Sequence, residues 1–163
     1  MTESRSHEQL AIELGAALRA RGWLCATAES CTGGLVAGAI TDVAGSSEWF
    51  DRGYVTYSND EKIRALDVSR ESIEKFGAVS EQVATEMAQG IRGRTGATHG
   101  IATTGIAGPS GGSAEKPVGT AFVALSSENQ PARCEKFFLP SDRDTFKQLV
   151  AQRAFDLLRR RFL

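Results

Sequence analysis

Four side chains in this sequence can do chemistry at neutral pH: Ser30, Cys31, Tyr57 and Lys62. They sit in two polar segments, Glu29-Ser30-Cys31-Thr32-Gly33-Gly34 and Tyr57-Ser58-Asn59-Asp60-Glu61-Lys62. Ser30 follows the short apolar run 23–28 and precedes the apolar stretch 35–43, so it falls on a strand-to-helix turn. A hydroxyl on such a turn is exposed, and the backbone N–H groups of Thr32, Gly33 and Gly34 at the start of the helix are candidates for holding an oxyanion. The plainer reading is that Ser30 or Thr32 caps the helix. Cys31 is a rival nucleophile, although a thiol after a buried strand is more commonly structural. The turn is not a Gly-x-Ser-x-Gly elbow.

A serine nucleophile requires a base, and histidine is scarce: only His7, near the terminus, and His99 are present. A Ser–Lys pair is the alternative. Lys62 lies in the first turn of a short helix capped around Asn59 and Asp60, where the positive end of the dipole disfavours an added cation. Its amine would have to be largely neutral near pH 7, which burial can supply, and Asp60 and Glu61 would have to point away. Failing that, Lys62 is a solvated surface charge. Tyr57 either packs at the rim or bridges Ser30 and Lys62. Its spacing from Lys62 is not Tyr-x-x-x-Lys, and no Gly-x-Gly-x-x-Gly opens the chain, which excludes a nicotinamide-cofactor oxidoreductase. The glycine-rich loop 105–112 lacks the Gly-Lys-Ser/Thr ending of a triphosphate-binding loop. Lys116 and Arg143 are the nearest basic candidates for a phosphate.

Composition narrows the field. The 163 residues suffice for one well-buried core and read as a single domain, 1–163, with residues 1–6 a disordered tail. Nineteen basic against twenty acidic side chains leave a charge of -1, without the basic field on which sequence-independent nucleic-acid binding relies. No Cys/His spacing supports a zinc site, so no metal is expected. Three cysteines without a CxxC pair read as reduced thiols. No apolar run approaches a membrane span and no export signal is found, so a cytoplasmic protein without membrane contact is expected.

The elements that must position these residues alternate along the chain. Helical periodicity marks 7–21, a strand follows over 23–28, and a helix covers 35–43. Gly45-Ser46-Ser47 is a break, and 49–57 reads as a strand. Short helices follow Asn59 and Ser69, and Ser80 caps a longer one carrying Val83, Met87 and Ile91 on one face. Segment 99–104 is a strand that empties into the loop 105–112. Strands 118–126 and 133–139 precede a last helix over about 142–162. This order predicts an α/β fold: a mostly parallel sheet covered by helices on both faces, with one antiparallel strand late in the chain. In such sheets ligands bind beyond the carboxyl ends of the strands, so the turn 29–34, the segment 57–62 and the loop 105–112 converge on one rim.

Taken together, Ala28-Glu29-Ser30-Cys31-Thr32-Gly33-Gly34, Thr56-Tyr57-Ser58-Asn59 with Lys62, Gly77-Ala78-Val79-Ser80, Gly105-Ile106-Ala107-Gly108-Pro109 with Gly111-Gly112, and Lys116-Pro117-Val118-Gly119-Thr120 resemble the CinA C-terminal domain family. The likeness covers nearly the whole chain and is closest to the stand-alone members, the nicotinamide-nucleotide amidohydrolases. It implies a three-layer α/β/α sandwich with a mixed sheet, homodimeric, hydrolysing nicotinamide mononucleotide to nicotinic acid mononucleotide and ammonia in pyridine nucleotide salvage, with no cofactor. It also implies Ser30 as nucleophile, Lys62 as base and Tyr57 assisting. Asn59, Thr104, Gly105, Ala107, Gly108, Gly111 and Arg143 are expected around the small mononucleotide substrate. Two positions depart from the family's usual pattern: Ser141 stands where glycine commonly precedes Asp-Arg, and Thr104 where serine is usual. The competing functions are an amidase for another small carboxamide and a non-catalytic nucleotide-binding adaptor linked to competence or DNA damage.

Overall fold

Helix α1 (His7–Arg21) starts from a reciprocal cap, in which Ser6 Oγ accepts the Gln9 N–H and the Gln9 side chain accepts the Ser6 N–H. The computed structural model describes residues 5–162. Most of the expected disordered tail therefore lies outside the described residues, while Ser6 belongs to the fold and Arg5 pairs with Glu13 at 2.6 Å. The helix ends at Gly22 in the left-handed region (φ 66°), and the Trp23 N–H turns back to the Leu18 carbonyl. That closure consumes Trp23, so strand β1 runs over Cys25–Glu29, two residues later than periodicity suggests.

The other strands are β2 (Phe50–Val55), β3 (His99–Gly105), β4 (Thr120–Ser127) and β5 (Arg133–Phe138), in the spatial order β2-β1-β3-β4-β5. β1 pairs in parallel with β2 and β3, whereas β4 is antiparallel to both of its neighbours. Four strands thus share one direction and β4 alone opposes them, as the element order predicts. The helices between and after the strands are α2 (Leu35–Thr41), α3 (Asn59–Leu66), α4 (Arg70–Phe76), α5 (Glu81–Thr95) and α6 (Arg143–Arg159), the last continuing as a 3-10 turn over Arg160–Phe162.

Helices α1, α2 and α6 cover one face of the sheet around Leu14, Ile40, Trp49, Phe146 and Phe155. Helices α3 and α5 cover the other through Leu66, Met87 and Ile91, which meet Ala26 and Ala28 of β1. The result is a three-layer α/β/α sandwich. Trp49 departs from its reading as strand: Ser46–Glu48 form a 3-10 turn that drops the indole into the core beside Gly15. His99 lies at the start of β3, paired with Cys25, at the opposite end of the sheet from Ser30. Its ring packs against Trp23 and Phe162, and burial with the nearby Arg161 and Arg92 pushes its pKa down to about 4. No helix among the described residues is long and apolar enough to cross a membrane.

Gly90 lets α5 lie against the end of α3, because a Cβ there would overlap the Leu66 carbonyl. The clash is with backbone, which cannot rotate away. Gly90→Ala is therefore expected to destabilise the fold by about 2–3 kcal/mol through overpacking, read as a lowered midpoint in urea unfolding. Gly93→Ala, in the same helix but with open space around it, should be close to neutral.

Candidate active site

Parallel pairing brings the ends of β1, β2 and β3 to one rim, and the backbone there is tied across all three. The Ser30 N–H donates to Thr103 of β3 at 3.0 Å, and the Thr56 N–H, just past β2, donates to Glu29 of β1 at 2.9 Å. Ser30 is thereby fixed between two strands. Only Thr56, Tyr57 and Ser58 separate β2 from α3, and Ser58 caps that helix by accepting the Glu61 N–H. Lys62, one turn into α3, points back toward the sheet.

Its side chain is 1% exposed. Lys62 Nζ lies 3.1 Å from Ser30 Oγ and donates to the carbonyls of Thr56 at 2.8 Å and Tyr57 at 3.3 Å. Neither Asp60 nor Glu61 pairs with it, and Glu61 is engaged by Arg64 at 2.9 Å. Desolvation dominates, opposed by Cys31, and the Lys62 pKa falls to about 8. The amine is therefore more readily deprotonated than a solvated lysine, but it becomes largely neutral only above about pH 8 rather than near pH 7. A neutral amine has two hydrogens, and the two carbonyls account for both. Its lone pair is then free to accept the Ser30 hydroxyl proton.

Ser30 and Lys62 open into a cavity of about 200 Å³ lined also by Cys31, Tyr57, Asn59, Ala78, Val79, Thr104, Gly105, Ala107 and Arg143. Thr104 Oγ1 donates to the Ala78 carbonyl at 3.0 Å, and Lys116 Nζ bonds the Phe76 carbonyl, so β3 and the loop 106–119 both hold the wall at Ala78 and Val79. Arg143, at the start of α6, closes one side. It donates to the Gly108 carbonyl at 2.8 Å and to the Tyr57 hydroxyl at 3.0 Å. The Tyr57 ring is 61% exposed, and its hydroxyl is held by Arg143 rather than bridging Ser30 and Lys62; the main-chain carbonyl of Tyr57 is what touches the amine. Gly108 reaches the site through Arg143, while Gly111 is not part of the cavity wall.

Thr32, Gly33 and Gly34 do not face this cavity. With Lys147, they line a separate cleft of about 630 Å³ on the α1/α2/α6 side of the sheet. The Gly33 N–H closes a turn onto the Ser30 carbonyl, and Thr32 Oγ1 donates to Glu29. The first amides of α2 are also occupied: Leu35 donates to Thr32, and Val36 and Ala37 to the Glu29 carboxylate. Among the residues lining the Ser30 cavity, Cys31, Ala78, Val79 and Ala107 donate no backbone hydrogen bond to oxygen among the described residues, and Cys31 is the one adjoining Ser30. The Cys31 thiol is pushed up to about 12 by burial and by Glu29, which leaves it protonated and a poor nucleophile. Ala78 and Val79 are site residues that a search for polar chemistry overlooks; the run Gly77-Ala78-Val79-Ser80 was their only sequence signal. Among the described residues, no cluster of His, Cys, Asp or Glu could hold a metal ion.

Residues 7–162 match the CinA C-terminal domain. The nicotinamide-nucleotide amidohydrolase PncC of Enterobacter agglomerans is 49% identical over 163 residues, which span 100% of this chain and 99% of that protein. PncC of Escherichia coli K12 is 45% identical over 155 residues, covering 95% and 94% of the two chains. Among solved structures, the competence/damage inducible protein CihA from Agrobacterium tumefaciens superposes with a TM-score of 0.93 at 41% identity, covering 98% of each chain.

The geometry around Lys62 is directly measurable. Titration of the Lys62 Cε resonance by NMR should give a midpoint near the lowered value of about 8, against about 10.4 for a solvated lysine. A midpoint at the solvated value would mean that the amine stays charged against Ser30.

Proposed function

The chain belongs to the CinA C-terminal domain family, and on that premise we propose that it hydrolyses the carboxamide of nicotinamide mononucleotide, giving nicotinic acid mononucleotide and ammonia. The observation that carries the reading is a buried amine of lowered pKa, 3.1 Å from a serine hydroxyl in a small cavity. The relatives named nicotinamide-nucleotide amidohydrolase, similar over the full length, support the substrate.

In the proposed reaction Lys62 accepts the Ser30 proton as Oγ bonds to the carboxamide carbon. The negative charge forming on the carbonyl oxygen faces the Cys31 N–H, a contribution of roughly 3 kcal/mol for one well-placed donor. The C–N bond then breaks as the Lys62 ammonium returns its proton to the leaving nitrogen, and ammonia departs. Water attacks the resulting ester, giving a proton to Lys62, and Ser30 Oγ leaves with that proton. The acid product and the starting enzyme remain.

A cavity of about 200 Å³ is smaller than the roughly 300–1,000 Å³ of sites that enclose whole drug-sized ligands. The pyridine carboxamide would enter it, leaving ribose and phosphate outside against Arg143, Asn59 and the loop from Gly105 to Gly108. Binding energy from that remote part would orient the reacting amide. Tyr57 serves as part of the mouth and as a carbonyl that holds the base. The same proposal includes a cytoplasmic homodimer, with Val55 at the end of β2 and Tyr57 at the cavity mouth, 50% and 61% exposed, offering apolar surface for a second copy. Sedimentation velocity at twice the chain mass would support it, and at one chain mass would refute it.

The decisive measurement is ammonia release from nicotinamide mononucleotide. Ser30→Ala and Lys62→Met should each lower kcat at least about 1,000-fold. Because the base must be unprotonated, kcat/KM should rise with pH through a midpoint near about 8 and fall on the acid side. Undiminished release by Ser30→Ala would end this reading.

A further inference from the structure

Glu29 precedes Ser30 but points the other way. Successive residues at a strand end project to opposite faces, so Ser30 turns toward α3 while Glu29 turns toward α2. The Glu29 carboxylate is 1% exposed and forms no ion pair with a basic side chain among the described residues. What surrounds it instead is a set of neutral donors. One oxygen accepts from Thr32 Oγ1 at 2.6 Å and from the Val36 N–H at 2.9 Å, and the other accepts from the Ala37 N–H at 3.1 Å.

This is helix capping from an unusual origin. The N-cap of α2 is Gly34, at φ 104° and with no side chain to offer. The carboxylate arrives from the strand, five residues earlier, and takes the amides a cap residue would satisfy. The bonds run in one direction. Thr32 spends its hydroxyl proton on Glu29, so Thr103, 2.8 Å from Thr32 Oγ1, must donate to Thr32. Thr103 is also the residue whose carbonyl accepts the Ser30 N–H. One buried network therefore joins the ends of β1 and β3 to the start of α2, and it grips the backbone on both sides of Ser30.

We infer that Glu29 is the positioning residue for the Ser30 hydroxyl, its carboxylate locking the turn so that Oγ is held at the Lys62 amine. The inference rests on the Ser30–Lys62 reading of the reaction. A carboxylate is required because all three surrounding groups donate. In Glu29→Gln one end of the side chain becomes an amide NH₂, and in either orientation that NH₂ confronts a donor. The turn must shift to relieve the conflict. Ser30 moves with it, while Arg143 and the loop at Gly108, on other elements, stay in place.

The test is steady-state ammonia release from nicotinamide mononucleotide by wild type, Glu29→Gln, Thr103→Val and Ser30→Ala, with thermal unfolding of each. A displaced nucleophile with an intact binding mouth predicts that Glu29→Gln lowers kcat about 100-fold and leaves KM within about twofold. The pH midpoint near about 8 should persist, since Lys62 keeps its surroundings. Thr103→Val, which removes the last donor of the network without changing volume greatly, should lower kcat about 10-fold and decides the matter if Glu29→Gln does not fold. A folded Glu29→Gln enzyme with wild-type kcat, or one whose loss is confined to KM, overturns the inference while Ser30 keeps its role. Ammonia release that survives Ser30→Ala removes the nucleophile itself, and with it anything for Glu29 to position.

Discussion

A lysine buried without a counter-ion sets the terms for this molecule. Charged ammonium in that position has lost its water and has no carboxylate to replace it, so the uncharged form gains by comparison. The two carbonyls that face Lys62 Nζ are main-chain acceptors to which either form can donate, and neither brings the full negative charge that would hold the ammonium. An acid within reach would have reversed the balance. Asp60 and Glu61 are adjacent in sequence, but about 100° of helical rotation per residue carries them to the outside of α3 while Lys62 faces in.

Delivering that amine to a hydroxyl is a matter of topology. Ser30 and Lys62 are 32 residues apart, and their meeting requires β1 and β2 to be neighbours with a common direction. It also requires a link from β2 to α3 short enough for the helix to start over the strand end. Three residues suffice. The antiparallel β4 contributes by starting at the same rim, so that the loop 106–119 spans it: at its base the Ile106 N–H donates to the Thr120 carbonyl and the Gly119 N–H to the Ile106 carbonyl. The wall at Ala78 and Val79 depends on that arrangement through Thr104 and Lys116.

What could be read from the sequence follows from how local each signal is. The starts of α4 and α5 at Ser69 and Ser80 were legible because a capping residue acts within three positions of itself, whereas Ser6 was assigned to a tail and the cap of α3 to Asn59 and Asp60 although Ser58 supplies it. The one opposing strand was legible because two consecutive strands precede α6. Trp49 was misplaced because its core position depends on Gly15, distant in sequence, leaving room for the indole. The oxyanion amides were sought at Thr32–Gly34 because a helix N-terminus ordinarily offers free donors. Here the Gly33 N–H turns onto the Ser30 carbonyl, a side chain seven and eight residues before Val36 and Ala37 takes those two amides, and Thr32–Gly34 line the other cleft, none of which a spacing rule announces. Tyr57 was read by its hydroxyl, whereas its nearest contact with Lys62 is through main chain.

The same features weigh on whether the site binds or transforms. A lysine recruited to hold a phosphate is useful in proportion to its charge, and it remains accessible at a surface where water and ligand can exchange. Arg143 and Lys147 fit that description: they lie at cavity mouths, and Arg143 has an always-charged guanidinium. Lys62 is the opposite case. It is enclosed, its charge has lost its water, and its nearest side-chain partner is a hydroxyl with no negative charge to offset that loss. A protein that only bound nucleotides would lose stability by burying such a group and gain no affinity from it. Proton transfer is the one task for which a neutral, enclosed amine beside a serine is better suited than a charged, exposed one.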